Sequence, residues 1–427
     1  MDNRTKLLMA FLDASHSVYH AAAYLSKTLE NAGYTRLNEA DAWNLVPGGN
    51  YCMTRGDSAV IAFRIPKETP RGFMMSASHS DRPTFKVKEN PELVGTYTRL
   101  ATEKYGGMLV APWLDRPLSV AGRVLVDTEQ GVQSRLIDID RDLLLIPNVA
   151  IHMNRKANDG YVWNPTTDTI PLVGSKEAAG KLAALLEETA GGKILGHDLY
   201  LYVRQKAVLW GIDEEFISSA ALDDLACAWG CTQGFLAARA SRNVPVLCVF
   251  DSEEVGSNSV QGAASTLLED VLDRICRALG LELTRMLAQS FLVSADNAHA
   301  VHPNHPEYAD ICNAPVVNGG VVLKFNANQR YTTDGVSAAV FRKVCQGAGV
   351  PVQTYCNRAD IPGGSTLGHI SLAHVSVPTA DIGLPQLAMH SCYETAGVTD
   401  AAALEKAMSA FYGATLSVSA RDGYILK

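Results

Sequence analysis

Three short, mostly apolar runs in this chain stop abruptly at clusters of histidine and carboxylate. Residues 73–77 run into Ser78-His79-Ser80-Asp81, residues 244–250 into Asp251-Ser252-Glu253-Glu254, and residues 291–294 into Ala295-Asp296-Asn297-Ala298-His299. Apolar runs of this length, bounded by polar residues, read as buried strands. Helix-like stretches alternate with them at 222–239, 264–279, 334–348 and 401–417, with a further strand at 352–355. Asp334 stands where the N-cap of its helix belongs. The alternation predicts an α/β sheet with helices on both faces. Ligands of such sheets gather beyond the carboxyl ends of the strands, where all three clusters fall.

Ahead of this region, residues 6–32 carry apolar side chains at helical spacing and predict one amphipathic helix, stopped near Asn31-Ala32-Gly33. A short strand at 59–63 follows. From Pro83 the texture changes. Residues 122–126 and 132–137 flank a turn at Gln130-Gly131, residues 199–203 and 207–210 read as strands, and a helix at 175–189 stops at Gly191-Gly192. These features predict a β-rich insert over 83–211, dividing a discontinuous domain made of 1–82 and 212–427.

Composition removes several classes of function. Lys and Arg number 37 against 45 Asp and Glu, a net charge of −8, which argues against nucleic acid as the main partner. The apolar runs fall far short of the ~20 residues that span a bilayer. The apolar patch at 7–12 is interrupted by Asp13 with no cleavage site after it, so no signal peptide is expected. The nine cysteines are scattered, which points to a reducing compartment, the cytoplasm. Cys227 and Cys231, one helical turn apart, read as small buried side chains.

Each polar cluster has an ordinary reading by itself: a surface His–Asp pair, solvated glutamates, or, for Asp223-Asp224, acidic charge favoured at a helix N-terminus. Together they suit a different purpose. Two metal ions about 3.5–4 Å apart need a shared carboxylate, flanking His and carboxylate ligands, and a spare carboxylate to take a proton from water. Adjacent Glu253 and Glu254 could divide the roles of base and ligand. Asp81, two residues beyond His79, could hold that imidazole in one tautomer.

Six segments occur in order: Ser78-His79-Ser80-Asp81, Leu222-Asp223-Asp224-Leu225, Asp251 to Ser257, Ser294 to Asn304, Lys324 to Tyr331, and Met389-His390-Ser391. The ordered set resembles the aspartyl aminopeptidase family of dinuclear zinc exopeptidases. The resemblance implies a mixed sheet flanked by helices with an inserted β-rich oligomerisation domain. It implies two zinc ions per subunit, one site open to manganese or cobalt. His79, Asp223 and Asp296 would ligate one ion; Asp223, Glu254 and His390 the other. Glu253 matches the family's general base and Asp81 its histidine-orienting carboxylate. His152, His299, Lys324, Asp360 and Gly364 match substrate-contacting positions. The activity implied is removal of N-terminal Asp or Glu from peptides with a free N-terminus, in a dimer-built dodecamer. Two other readings stand beside it: a related dinuclear aminopeptidase or amidohydrolase preferring neutral first residues, and a non-catalytic assembly protein.

Overall fold

The computed structural model of the chain describes residues 3–419 and 423–427. Its centre is a mixed nine-stranded sheet in the order Thr35–Arg36, Asn50–Arg55, Ala59–Arg64, Val244–Phe250, Phe73–His79, Phe291–Ala295, Thr379–Gly383, Val321–Phe325, Val352–Cys356. The middle four strands, from Val244–Phe250 to Thr379–Gly383, run parallel and are buried throughout. Their side chains alternate between two cores, as the period of two requires. Leu247, Val249, Phe291, Val293 and Ala295 face one core, under helices Asn3–Ala14, Val18–Asn31, Leu222–Ala237, Gly335–Ala348 and Asp400–Gly413. Val246, Cys248, Phe73, Met75 and Leu292 face the other, under Leu267–Leu279 and Leu283–Leu287.

Helix Leu222–Ala237 is seated by its glycines. A Cβ on Gly234 would lie 2.6 Å from the Cβ of Met408 and 2.8 Å from the Glu405 carbonyl oxygen, so only glycine admits helix Asp400–Gly413 this closely. Asp334 caps its helix as expected: its Oδ1 accepts from the Ser337 amide at 2.7 Å, and the Ser337 hydroxyl accepts from the Asp334 amide at 2.9 Å.

Two sequence expectations are corrected. The single helix over 6–32 is two helices, Asn3–Ala14 and Val18–Asn31. The Ser15 hydroxyl donates to the Phe11 carbonyl at 2.6 Å, while Ser17 caps the second helix, accepting from the His20 amide at 3.4 Å. Serines that bond nearby backbone compete with the helix ladder and break it here. The closing helix stops at Gly413, and Leu416–Ser419 turns back as a strand against Gly423–Leu426.

Six strands between Thr84 and Ser175 and at Ile194–Val203 form a separate antiparallel sheet, covered by helix Lys181–Ala190. It carries its own core, including Phe85, Trp113, Val124, Leu186 and Leu199. The chain leaves this sheet at Val203. Val208–Trp210 then pairs with Phe216–Ser219 in a five-stranded sheet with Glu394–Gly397, Pro385–Leu387 and Ala298–His299. Its register sets Ser219 opposite Glu394, which matters for the site below. Among the described residues no helix is long and apolar enough to cross a membrane.

Candidate metal centre

The parallel strands deliver their last residues to one rim. His79 ends its strand opposite Phe250, so the turn holding Glu253 and Glu254 starts beside it. Asp296 follows the end of Phe291–Ala295, and Asp223 lies in the first turn of helix Leu222–Ala237. His390 sits after the short strand Pro385–Leu387 with φ 65°, and Ser252 and Ala221 also have positive φ. Non-glycine residues held in that region cost free energy and persist where the surroundings over-determine them.

The two oxygens of Asp223 face different imidazoles. Oδ1 is 3.7 Å from His79 Nε2, and Oδ2 is 3.3 Å from His390 Nε2, which is also 3.4 Å from Glu254 Oε2. Donor atoms of His79, Asp223, Asp224 and Asp296 lie within 4.8 Å of one another, as do those of Asp223, Glu254 and His390. A third such group, His79, Glu253 and Glu254, joins them. The five sequence-predicted ligands therefore converge, with Asp223 common to both sides.

Charge shows what this cluster lacks. Burial, with Asp296, Asp81 and Asp223 close by, pushes the Glu253 carboxyl up to about 8. Burial and Asp223 raise Asp296 to about 6 against the pull of Lys324, and burial raises Glu254 and Asp224 well above the carboxylate range. Burial alone would lower His79, but Asp81, Asp224 and Glu253 outweigh it and hold that imidazole well above its ordinary pKa. The cluster is a buried excess of negative charge that protons and the Lys324 ammonium, 3.8 Å from Asp296 Oδ1, offset. Asp223 Oδ1, Asp224 Oδ1 and Glu254 Oε1 are moreover buried without a hydrogen-bond partner. Carboxylate oxygens, three of them orphaned, beside two imidazole nitrogens fit divalent zinc.

Asp81 braces the rim. Its Oδ1 accepts from the Glu253 amide at 3.1 Å and lies 3.3 Å from His79 Nδ1, leaving Nε2 for the cluster. Its Oδ2 accepts from the Glu254 amide at 3.1 Å and the Tyr105 hydroxyl at 2.8 Å. No hydrogen bond reaches the Glu253 carboxylate among the described residues.

A model of the aminopeptidase I zinc metalloproteases (M18) matches residues 11–412. The chain belongs to the M18 family of zinc aminopeptidases. The probable M18 family aminopeptidase 2 of Clostridium acetobutylicum is 41% identical over 423 residues, covering 95% of this chain and 98% of that protein. Its counterpart in Pseudomonas aeruginosa is 42% identical over 421 residues, covering 96% and 97%. Among solved structures, Ape4 in its complex with Nbr1 is similar at TM-score 0.92 and 37% identity, covering 96% of this chain and 85% of that one. The Saccharomyces cerevisiae mApe1 dodecamer is similar at TM-score 0.85 and 25% identity, with 96% of each chain covered.

The remaining predicted positions of this M18 chain are spread more widely. Lys324 is 2% exposed and donates from Nζ to the carbonyls of Asp296 at 2.6 Å and Asn297 at 3.2 Å. Burial would lower its pKa, but Asp296, Tyr331 and Asp381 outweigh this and raise it. His299 opens to solvent, edge-on to Tyr355, its pKa lowered by surrounding protein and by Lys324. Asp360 is exposed and paired with Arg358 at 2.6 and 2.7 Å; Gly364 lies in an open loop; His152 is exposed in the loop after Pro147. None of these belongs to the ligand groups among the described residues.

Sequence reasoning missed Glu394. It is 1% exposed and accepts from the Asp223 amide at 2.9 Å and the His390 amide at 2.7 Å. One carboxylate thus sets the backbone of residues on both sides of the cluster. Its place four residues beyond His390 was the available signal. Glu394→Ala is expected to weaken zinc binding about 10–100-fold, the usual cost of losing such support. Competition against a chelator measures this; unchanged affinity would contradict the bracing role.

Proposed function

We propose that the chain removes N-terminal Asp and Glu from peptides, using two zinc ions and Glu253 as general base. The observation that carries the reading is Asp223, whose two oxygens face His79 and His390 from the middle of a buried, under-compensated ligand cluster. In this reading His79, Asp223 and Asp296 hold one ion, and Asp223, Glu254 and His390 hold the other. When bound, the ions supply Lewis acidity, polarising the scissile carbonyl and lowering the pKa of water. The chain's own residues do the rest. Glu253 has a carboxylate free of hydrogen bonds and lies in one ligand-distance group with His79 and Glu254, so it takes a proton from the attacking water and returns it to the leaving amine. Asp81 keeps the Glu253 turn and the His79 ring in register. A purely structural metal site needs no spare base, which disfavours the assembly-protein reading.

The acidic preference rests on positive charge behind Asp296, where Lys324 is held charged. A second reading, preference for a neutral first residue, is favoured by the same side chain, because its Nζ is committed to two backbone carbonyls. Arylamides differing only in the first residue decide between them. Asp-arylamide is expected to exceed Leu- and Ala-arylamide at least tenfold in kcat/KM; preference for Leu or Ala would overturn the acidic assignment.

We further propose that 83–211 is an oligomerisation insert and that the chain builds a homo-oligomer from dimers. The similar yeast mApe1, itself a dodecamer, supports this reading. Val149, Met153 and Val162, exposed in the long loop of the insert, supply apolar surface for that assembly. Nine free cysteines accord with a reducing, cytoplasmic setting.

A further inference from the structure

We propose a second ligand site, for a small multiply charged anion bearing phosphate or carboxylate groups, at the end of the central sheet opposite the metal centre. A cavity of about 680 Å³ opens there, lined by residues from the ends of strand Ala59–Arg64 and helix Leu222–Ala237 and from the start of Val244–Phe250. Val244 pairs with Phe73 at this end, and Phe250 with His79 at the other. The six residue steps between them amount to about 20 Å of strand, so the cavity is no part of the metal centre.

The wall carries Arg64, Lys67, Arg239 and Arg242 against one acid, Glu68. In a chain of net charge −8 this is a concentration of positive charge. Some of it has a structural use. Arg64 Nη1 donates to the Ala238 carbonyl at 2.9 Å, answering the negative end of helix Leu222–Ala237, and its guanidinium lies 5.1 Å over the Phe235 ring. Arg242 pairs with Glu68 at 3.0 Å on the exposed rim.

The rest has no such use. Arg64 Nη2 is buried without a hydrogen-bond partner, and Lys67 and Arg239 form no ion pair among the described residues. Buried N–H groups are paired in the great majority of cases, so this orphan leaves the charge of Arg64 under-compensated beside the cavity that the residue helps to line. A guanidinium fork matches carboxylate and phosphate oxygens, and lysine binds phosphate as a point charge. The volume falls within the range of small-molecule sites, about 300–1,000 Å³.

Calorimetric titration of the metal-loaded full chain at low ionic strength tests this, with inorganic phosphate in one arm and succinate in the other to separate the two chemistries. Saturable binding of at least one anion is expected. The double variant Lys67→Gln/Arg239→Gln, at two exposed positions that leave the core untouched, should weaken it at least tenfold, and Arg64→Gln should weaken it likewise. Peptidase kcat/KM should stay within twofold of the parent in the double variant. Absence of saturable binding overturns the proposal. So does equal binding by parent and double variant, which would place the anion elsewhere, the metal centre included.

Discussion

Glu253→Gln is expected to lower kcat by about 10²–10⁴-fold, the usual contribution of a positioned acid–base group, with zinc content unchanged. Gln has nearly the same shape and cannot accept the proton. The local backbone should survive the change, because the bond from the residue 253 amide to Asp81 Oδ1, 3.1 Å long, does not involve the side chain. The experiment also separates two arrangements that the geometry admits. Glu253 lies in one ligand-distance group with His79 and Glu254. Were it a ligand rather than the base, metal would be lost together with activity. Steady-state kinetics beside elemental analysis of the same preparation distinguishes these outcomes, and turnover within tenfold of the parent would remove Glu253 from the chemistry altogether.

How far this centre could be read in advance depended on what each residue's partner was. The strand Val244–Phe250 was legible residue for residue, because a run buried on both faces leaves an unbroken apolar signature. Phe73–His79 and Phe291–Ala295 run two residues and one residue past the expected ends at 77 and 294, so His79 closes its strand rather than following it, and the ligand candidates stand at or just beyond those ends. What the residues do to one another over long separations was hidden. Lys324, which the resemblance matches to a substrate-contacting position, is buried against the carbonyls of Asn297 and Asp296, 27 and 28 residues away. Glu394 reaches the Asp223 amide across 171 residues, through a five-stranded sheet whose strands are two to four residues long. Strands that short have no measurable periodicity; of the five only Val208–Trp210 was expected, at 207–210, and the strands next to Glu394 leave no trace in the pattern. The break at Ser15–Ser17 was hidden too, since hydroxyl-to-backbone bonds interrupt a helix without disturbing the apolar spacing on either side.

Removing the metal should lower the melting temperature, and the drop should widen as pH rises from 6 to 8. The sign follows from the directions of the carboxyl shifts. In the metal-free protein Glu253 is raised to about 8, and Glu254 and Asp224 are raised well above the ordinary range, chiefly by burial. The unfolded chain has already released those protons by pH 6, whereas the folded chain retains them. A folded state that binds more protons than the unfolded one loses stability as pH rises. His79, raised by Asp81 and its acidic neighbours against the effect of burial, acts in the same direction. Its contribution is full below the unfolded value and disappears as pH climbs through the folded one. Asp223 is lowered, because its bond to His390 and the charge of His79 outweigh burial; its contribution is complete above the unfolded carboxylate value and is flat across this window. The metal-loaded protein has exchanged the protons for ions, so each proton released on binding adds about 1.4 kcal/mol of zinc affinity per pH unit. Thermal melts of loaded and chelated protein at a fixed free zinc concentration, at pH 6, 7 and 8, measure the gap directly. A gap that stays constant would mean that these carboxyl groups are not what the ions replace, and an absent gap would mean that the cluster holds no metal in the folded protein.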